Sequence, residues 1–355
     1  MSRYGARLSR NLAVRLDGQP LQPNGTMIVN PTPAWDYCGG GTVVGVRMTG
    51  QNVGDLMNKA GVGWGWFSGG FRPTSRDGNG IPTCGSSHKN IGGQQIGDYC
   101  NICEPFQYYD STANPAHLPP TSVQAIGHTD QANHQYDLTD FFAAADSGNL
   151  PAVSFLKASG YQQGHPGISD PLDEQTFLVD TVNHLQRLKS WKDTAIVLAW
   201  DDSDGWYDHV IPPLVNPSQS SQDALTGKGQ CGTGTPLGGY QDRCGHGPRQ
   251  PLLVISPYAK ANHVDHTMSD QTSILRFIED NWLGGARIGD GSYDALAGPL
   301  TGMFDFKHGP RTRRLFLDPS TGEATRPMKI TPQPTPSYSV YPTPPPSPSP
   351  SPSYT

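Results

Sequence analysis

The stretch SDPLDEQTFLVDTVNHLQRLKSWKDTAIVLAWDD, residues 169–202, contains a helix signal followed directly by a strand signal. Asp170 is a favourable helix N-cap, and Pro171 suits the first helical position because the N–H that proline lacks is unpaired there in any helix. Apolar residues then recur at the spacing of one helix face: Leu178, Val182, Leu185 and Leu188. The short run TAIVLAW (194–200) is rich in β-branched residues and predicts a buried strand.

The same alternation continues on both sides of this stretch. Further strands are predicted at PAVSFL (151–156) and PLLVIS (251–256). Two further helices are predicted within 49–61 and within 136–146. A third is predicted to begin at the cap Ser269, and it carries Ile274, Leu275, Ile278 and Trp282. Strands that alternate with helices favour an α/β fold with a mostly parallel central sheet flanked by helices.

Composition limits the function classes. The 355 residues include 42 Gly and 34 Pro, with an apolar fraction of 35%, which predicts a loop-rich globular protein. The net charge of −6 provides no basic field for a nucleic-acid backbone, so we expect no nucleic-acid partner. No apolar run approaches the roughly 18 residues that a membrane-spanning helix needs, so we expect no stable membrane insertion.

Six cysteines in a turn-rich chain favour an exported protein with disulfides. Cys231 and Cys244 flank a segment without a core of its own, so we expect them to pair, and we expect Cys38 to pair with Cys84. Cys100 and Cys103 form a C-x-x-C motif, which is compatible with a redox pair, half of a metal site or a tight disulfide.

The two ends of the chain differ from its middle. MSRYGARLSRNLAVRLDG (1–18) interleaves basic and apolar residues and lacks the continuous apolar core of a secretory signal. We therefore expect residues 1–25 to be an atypical or truncated start from which an upstream segment is missing. One domain is predicted over 26–325. The Pro- and Ser-rich residues 326–355 predict a disordered tail.

Adjacent carboxylates follow the predicted strand 194–200. Ligands of such sheets bind beyond the carboxyl ends of the strands, and Asp201 and Asp202 fall at that position. Two aspartates there predict a site for a hard divalent cation of unknown identity. Asp204, Asp208 and His209 follow closely. For Asp204 and Asp208 we expect a role in forming or supporting the loop.

An ordinary solvated turn is the alternative explanation, because Asp-Ser-Asp-Gly is also turn chemistry. An EF-hand loop does not fit. If Gly205 took the sixth loop position, Trp200 and Ile211 would occupy the first and twelfth ligand positions, where neither provides a carboxylate.

Several blocks identify a family. Residues 169–209, together with GHTDQANHQYDLTDF (127–141), PFQYYDSTANPAHLPP (105–120) and GHGPRQPLLVISPYAK (245–260), resemble the bacterial phosphoesterase family of acid phosphatases and phospholipases C. The resemblance extends from about residue 26 to residue 285. It implies an alkaline-phosphatase-like α/β core, a secreted, periplasmic or cell-surface protein, and metal-dependent hydrolysis of phosphate esters through a phosphoenzyme on a Ser or Thr.

The resemblance also implies roles for individual residues. Asp201 and Asp202 match the metal-binding aspartate pair of the family. His165 matches a histidine of the phosphate pocket, which binds substrate and assists catalysis, and His128 is expected at the rim of that pocket. Cys103, with Ile102, stands where relatives carry a His-His pair, so it is expected to line the substrate pocket.

One half of the family's catalytic site has no counterpart in the sequence pattern. The Glu-Asn metal ligands of an ENRSFDHYFG-like motif and the nucleophile that follows them are not found in the first 40 residues, so the nucleophile is unknown. Two functions therefore stay open. One is a hydrolase of phosphomonoesters or phospholipid head groups, and the other is a truncated, non-catalytic remnant or phosphate-ligand binding protein. A sulfatase-like enzyme is disfavoured because the chain has no C-x-P-x-R motif.

Overall fold

The computed structural model describes residues 13–15, 32–39, 45–48, 50–203, 210, 248–289, 292–327 and 335–341. Its helices are α1 (Val53–Ala60), α2 (Leu138–Ser147), α3 (Pro171–Arg187) and α4 (Thr272–Trp282). Its strands are β1 (Ala13–Arg15), β2 (Thr32–Pro33), β3 (Gly45–Met48), β4 (Trp64–Ser68), β5 (Ser75–Arg76), β6 (Pro82–Thr83), β7 (Ser87–Lys89), β8 (Gln95–Gly97), β9 (Gln135–Asp137), β10 (Val153–Lys157), β11 (Ile196–Ala199), β12 (Leu252–Ile255), β13 (Phe316–Leu317) and β14 (Ala324–Thr325). Apart from β1, the described residues fall into two compact units, a larger one with residues 32–192 and 312–341 and a smaller one with residues 193–311.

A parallel three-stranded sheet forms the centre of the larger unit. β4 lies between β10 and β9, and both neighbours run parallel to it. In this register Ser68, the last residue of β4, pairs with Lys157 on one side and Asp137 on the other. Large apolar side chains of this unit are fully buried around the sheet: Met57, Trp64, Phe67, Tyr136 and Phe141. The three strands therefore end together at one edge.

Helix α3 begins where the sequence predicts. The side chain of Asp170 accepts a hydrogen bond from the Leu172 N–H at 2.9 Å, and Pro171 occupies the first turn. Its buried face is more polar than predicted, because Leu178, Val182 and Leu188 are only half-buried while Leu185 is buried. Amides take the inner positions instead: Gln186 donates to the Leu315 carbonyl at 2.7 Å, and Asn183 donates to the Leu317 carbonyl at 2.7 Å.

The smaller unit differs from the sequence expectation in strand direction. β11 pairs with β12 in antiparallel fashion, with Ile196 opposite Ile255 and Ala199 opposite Leu252. A fully apolar run has the same pattern in either direction, so the sequence could not decide this point. The described fold is therefore mixed α/β, and its parallel part is the β9–β4–β10 sheet, with a further parallel pair between β2 and β3.

The start of α4 also differs from the prediction. Gln271 occupies the N-cap position without a capping side-chain bond, so Ser269 is not the cap that we predicted. The other predicted elements are present with shifted ends, as α1, α2, β10, β11 and β12.

Part of the Pro- and Ser-rich tail contacts the larger unit. Gln131 donates to the Ser339 carbonyl at 2.8 Å and accepts from the Tyr341 N–H at 3.1 Å. The Arg76 guanidinium lies 5.1 Å from the centre of the Tyr341 ring. Of the predicted disordered tail, 326–355, residues 328–334 and 342–355 lie outside the described residues. Among the helices that the structure describes, none has the length and apolar character needed to cross a membrane.

Candidate functional site at the strand ends

The carboxyl ends of the parallel strands bring together polar side chains from distant parts of the sequence. Ser68 ends β4 and Lys157 ends β10, and the two are direct neighbours in the sheet. Glu104 follows the C-x-x-C motif and lies close enough to Ser68, Trp66 and Lys157 to interact with them electrostatically. We call Trp66, Ser68, Glu104 and Lys157 the strand-end cluster. Such an edge is where open α/β sheets bind their ligands.

Glu104 is a fully buried carboxyl group at this edge. Among the described residues neither of its oxygens has a hydrogen bond of standard geometry, although the Ser68 hydroxyl and the Trp66 indole N–H face it. Burial, with a smaller contribution from the charge of Asp36, raises the pKa of Glu104 to about 8, and the Ser68 hydroxyl, the Trp66 indole N–H and the Lys157 ammonium oppose the rise. Glu104 is therefore mainly a neutral carboxylic acid at pH 7, and it adds little negative charge to the edge.

Arg72 supplies a second cation near the end of β4. Its Nη2 donates to Oδ1 of Asp140 at 2.6 Å, and its backbone N–H donates to the Asp137 carboxylate at 3.0 Å. Burial raises the pKa of Asp140 to about 6, while the Arg72 guanidinium counteracts that rise. Arg72 is thus paired with two carboxylates at the same edge of the sheet, and they balance its positive charge.

A buried network centred on Asp36 lies near the strand-end cluster. Asp36 Oδ1 is 2.8 Å from Nε2 of His117 and accepts from the Cys38 N–H at 2.8 Å. Its Oδ2 accepts from the Tyr99 hydroxyl at 2.5 Å. Burial, and then the charge of Asp36, raise the pKa of Tyr99 well above its usual range, so Tyr99 keeps its proton as a donor. These hydrogen bonds join residues 32–39 to the rest of the larger unit.

The cysteines are placed largely as predicted. Cys38 is bonded to Cys84, which confirms the expected bridge. Cys100 is bonded to Cys103, so among the three interpretations of the C-x-x-C motif the structure shows the tight disulfide. The predicted Cys231–Cys244 pair lies outside the described residues. Because its sulfur is bonded to Cys100, Cys103 offers no thiolate to a substrate.

The two predicted pocket histidines lie at different edges of the β9–β4–β10 sheet. His165 is half-buried in the loop after β10, and its Nδ1 lies 2.8 Å from the Pro166 carbonyl oxygen. This loop leaves the same edge that carries the strand-end cluster. His128 is exposed and follows Gly127, whose carbonyl accepts from the Trp64 N–H at the start of β4. The structure therefore places His128 at the opposite, amino-terminal edge.

The predicted metal ligands lie in the smaller unit. Asp201 is exposed and Asp202 half-buried, directly after β11. The Gln271 side chain at the start of α4 donates to the backbone carbonyls of Trp200 and Asp201, both at 2.8 Å, and so fixes this strand end. Asp204, Asp208 and His209 lie outside the described residues. His165, His128 and Cys103 belong to the larger unit.

The donor chemistry of Asp201 and Asp202 fits a hard divalent cation, because carboxylate oxygens are the ligands that such ions prefer. Elsewhere in the described ranges, one group of three metal-ligating side chains comes together: Cys38, Cys84 and His117. Two of its three donors are disulfide sulfurs, so in this state it is not the predicted cation site. The sequence interpretation had no role for Glu104 or Asp36, although a lone glutamate before the aromatic run PFQYY was a visible signal.

Comparison with known proteins places the chain among phosphoesterases. A family model described as the phosphoesterase family matches residues 40–283. The non-hemolytic phospholipase C of Pseudomonas aeruginosa is 31% identical over 189 residues, which cover 50% of this chain and 26% of that protein. The non-hemolytic phospholipase C of Burkholderia pseudomallei is 33% identical over 178 residues, which cover 45% of this chain and 23% of that protein. Phospholipase C A of Mycobacterium tuberculosis is 28% identical over 188 residues, which cover 49% of this chain and 33% of that protein. The matched segment thus spans 23–33% of the length of these relatives.

Proposed function

Because the chain belongs to the phosphoesterase family, we propose that it is an exported hydrolase of phosphoric esters that acts on phosphomonoesters or phospholipid head groups. The observation that carries this proposal is the family match over residues 40–283. The relatives named phospholipase C support a phospholipid head group as one substrate class. An alkaline-phosphatase-like core and a phosphoenzyme intermediate are part of the same proposal, and the nucleophile is unassigned. The two described disulfides are consistent with export.

A divalent cation is the cofactor that we propose, held by Asp201 and Asp202. When bound, such an ion neutralises developing charge on phosphoryl oxygens and polarises the phosphorus–oxygen bonds. The protein contributes the position of the two carboxylates. Gln271 fixes the backbone that carries them through its two carbonyl contacts, so the strand end is preorganised before any ligand arrives.

The strand-end cluster suits the binding of an anion. Phosphoryl transfer depends mostly on positioning and on neutralising the charge of the phosphoryl oxygens. Lys157 provides positive charge at this edge, where Arg72 is paired with Asp137 and Asp140, and the neutral form of Glu104 avoids repelling a phosphate group. His165 lies in the loop that leaves the same edge, where an imidazole can donate to a phosphate oxygen or hold a proton during transfer.

The second candidate function is a phosphate-ligand binding protein without catalysis. The observation that favours it is the bonded state of Cys103, which stands where the family resemblance implies one of two pocket histidines. A disulfide sulfur neither transfers a proton nor ligates a hard cation, so this position offers no acid–base group.

Hydrolysis of a chromogenic phosphomonoester and of phosphatidylcholine, with and without added divalent cations, tests the proposal. We expect cation-stimulated turnover that falls at least about 100-fold in Asp201→Asn and in Asp202→Asn, because metal charge stabilisation is worth several kcal/mol. Asp180→Asn, which changes an exposed carboxylate on α3, is the matched control and should retain activity. Saturable phosphate binding without turnover would instead support the binding protein.

A further inference from the structure

The Cys38–Cys84 disulfide lies against a buried histidine that the proposed reaction does not use. The two sulfurs and a ring nitrogen of His117 all lie within 4.8 Å of one another. The Sγ of Cys84 is 3.5 Å from Nδ1 of His117. Two sulfurs and one imidazole nitrogen are the donor types of structural zinc sites. Cys38 and Cys84 are half-buried and His117 is 1% exposed, so the imidazole is shielded from water while the two cysteines lie nearer the surface.

His117 is oriented like a metal-ligating histidine. Such residues place one ring nitrogen on the metal and give the other to a carboxylate, which fixes the ring and raises its basicity. Here Nε2 faces Oδ1 of Asp36 at 2.8 Å, while Nδ1 lies 2.8 Å from the Phe71 carbonyl oxygen and 3.5 Å from Sγ of Cys84. Asp36 is itself held by the Tyr99 hydroxyl and by the N–H of Cys38. The supporting carboxylate is therefore already in place.

The backbone at His117 is constrained. His117 has a φ of 50°, a left-handed conformation that is uncommon for residues other than glycine. The Arg76 guanidinium donates to its carbonyl at 2.8 Å, and the Phe71 ring stacks on the imidazole with centroids 4.1 Å apart. The Phe71 carbonyl oxygen is 2.8 Å from Nδ1 and 3.7 Å from the sulfur of Cys84. This oxygen, or a water molecule, can supply a fourth donor.

We propose that reduction of the Cys38–Cys84 disulfide converts this cluster into a binding site for a thiophilic divalent cation, with Zn²⁺ as the best match. A dithiol reductant passes two electrons and two protons to the sulfurs and is itself oxidised to a disulfide. The cation then binds the two sulfurs as thiolates and Nδ1 of His117, and the protons of these three donors go to solvent. Cys38 and Cys84 are thus linked by a disulfide under oxidising conditions and by a shared metal ion under reducing conditions.

The chemistry of the donors separates this site from the proposed hydrolase cation. Thiolate and imidazole ligands select zinc and cobalt over magnesium and calcium, whereas Asp201 and Asp202 offer only carboxylates. Occupancy by Zn²⁺ or Co²⁺ would link the same two segments, residues 32–39 and the β6–β7 connection, that the disulfide links. The inference therefore does not depend on ester hydrolysis.

The probe is Co²⁺ added to the full chain after reduction with a phosphine and removal of that reductant under anaerobic conditions. We expect one Co²⁺ per chain with a thiolate-to-cobalt charge-transfer band and the visible spectrum of tetrahedral coordination, and no such band in the oxidised protein. The Cys38→Ser/Cys84→Ser double variant should lose the band. The Cys100→Ser/Cys103→Ser double variant, which removes the other described disulfide, should retain it. Asp36→Asn should weaken the affinity for Co²⁺ about 10- to 100-fold, since it removes the partner of the imidazole.

The proposal is overturned by a band that persists without Cys38 and Cys84, by a folded and reduced wild-type chain that binds no Co²⁺, or by an Asp36→Asn variant that binds Co²⁺ as tightly as the wild type. Near-ultraviolet circular dichroism reports whether the reduced chain stays folded. If it unfolds, Zn²⁺ present during reduction must preserve the native spectrum and protect Cys38 and Cys84 from alkylation while Cys100 and Cys103 are labelled. Failure of that protection also overturns the proposal.

Discussion

Replacing Glu104 by glutamine should change how the stability of the protein depends on pH. Glu104 is fully buried, and burial raises its pKa from the ordinary value of 4.5 to about 8. Between these two values the folded protein holds a proton that the unfolded chain releases. The free energy of unfolding therefore falls as the pH rises from about 4.5 to about 8. Glutamine has the shape of the protonated acid and no charge to lose, so the variant lacks this contribution.

The magnitude follows from the size of the shift. A rise of the pKa from 4.5 to about 8 corresponds to about 5 kcal/mol, since each pKa unit is worth about 1.4 kcal/mol. Near pH 4.5 the wild type and Glu104→Gln should differ by no more than about 1 kcal/mol, because an amide and a neutral acid of equal size occupy the same space. Near pH 8 the variant should be the more stable protein, by up to about 5 kcal/mol.

Urea unfolding followed by tryptophan fluorescence, repeated across this pH range for both proteins, measures the effect. All other titrating groups are shared, so the difference between the two curves isolates Glu104. Glu323→Gln, an exposed carboxylate of the same unit, is the control and should follow the wild type at every pH. Parallel curves for wild type and Glu104→Gln would refute the reasoning, because they would mean that Glu104 has the same pKa in the folded and unfolded states.

Three further predictions concern stability. Burial and a neighbouring carboxyl raise the pKa of Glu279 to about 8, so Glu279→Gln should also reduce the loss of stability towards pH 8 in the same urea titration. Replacing Cys38 and Cys84 by serine should lower the free energy of unfolding by about 4 kcal/mol in oxidising buffer, because this disulfide closes a long loop. Replacing Cys100 and Cys103 by serine should lower it by less than half as much, and guanidinium unfolding compares the two variants. In Gly69→Ala the new methyl group would lie 2.5 Å from backbone atoms of the facing loop, so thermal unfolding should show a loss of about 1–3 kcal/mol. Gly78→Ala, where nothing lies within 4 Å, should stay within about 0.5 kcal/mol of the wild type.

Local sequence signals predicted local structure well. Asp170 and Pro171 specified the start of α3 because capping depends on the hydrogen bonds of a single turn. The signal failed for Ser269, because α4 begins after Gln271, whose backbone is already helical and whose side chain makes no capping hydrogen bond. Leu178 and Val182 are only half-buried, which shows a limit of predicting burial from apolar spacing. The spacing identifies one face of the helix, but it does not show which other residues pack on that face.

Burial was the property of the candidate site that sequence reasoning missed. Glu104 and Asp36 are separated by many residues from Ser68, Lys157 and His117, and nothing local indicates that they are withdrawn from water together. Their electrostatic behaviour arises from desolvation, which depends on everything packed around them. The positions of His165 and His128 at opposite edges of one sheet likewise follow from the parallel pairing of β9, β4 and β10.

The sequence by itself determined the α/β character, the start of α3 and the family, because each depends on composition, short-range spacing or recognisable motifs. Only the tertiary structure decided the antiparallel pairing of β11 with β12, the raised pKa of Glu104 and the meeting of His117 with Asp36 across 81 positions of the chain. These properties belong to contacts between residues that are distant in sequence. The free energy of such contacts is set by packing and exclusion of water, which no local pattern encodes.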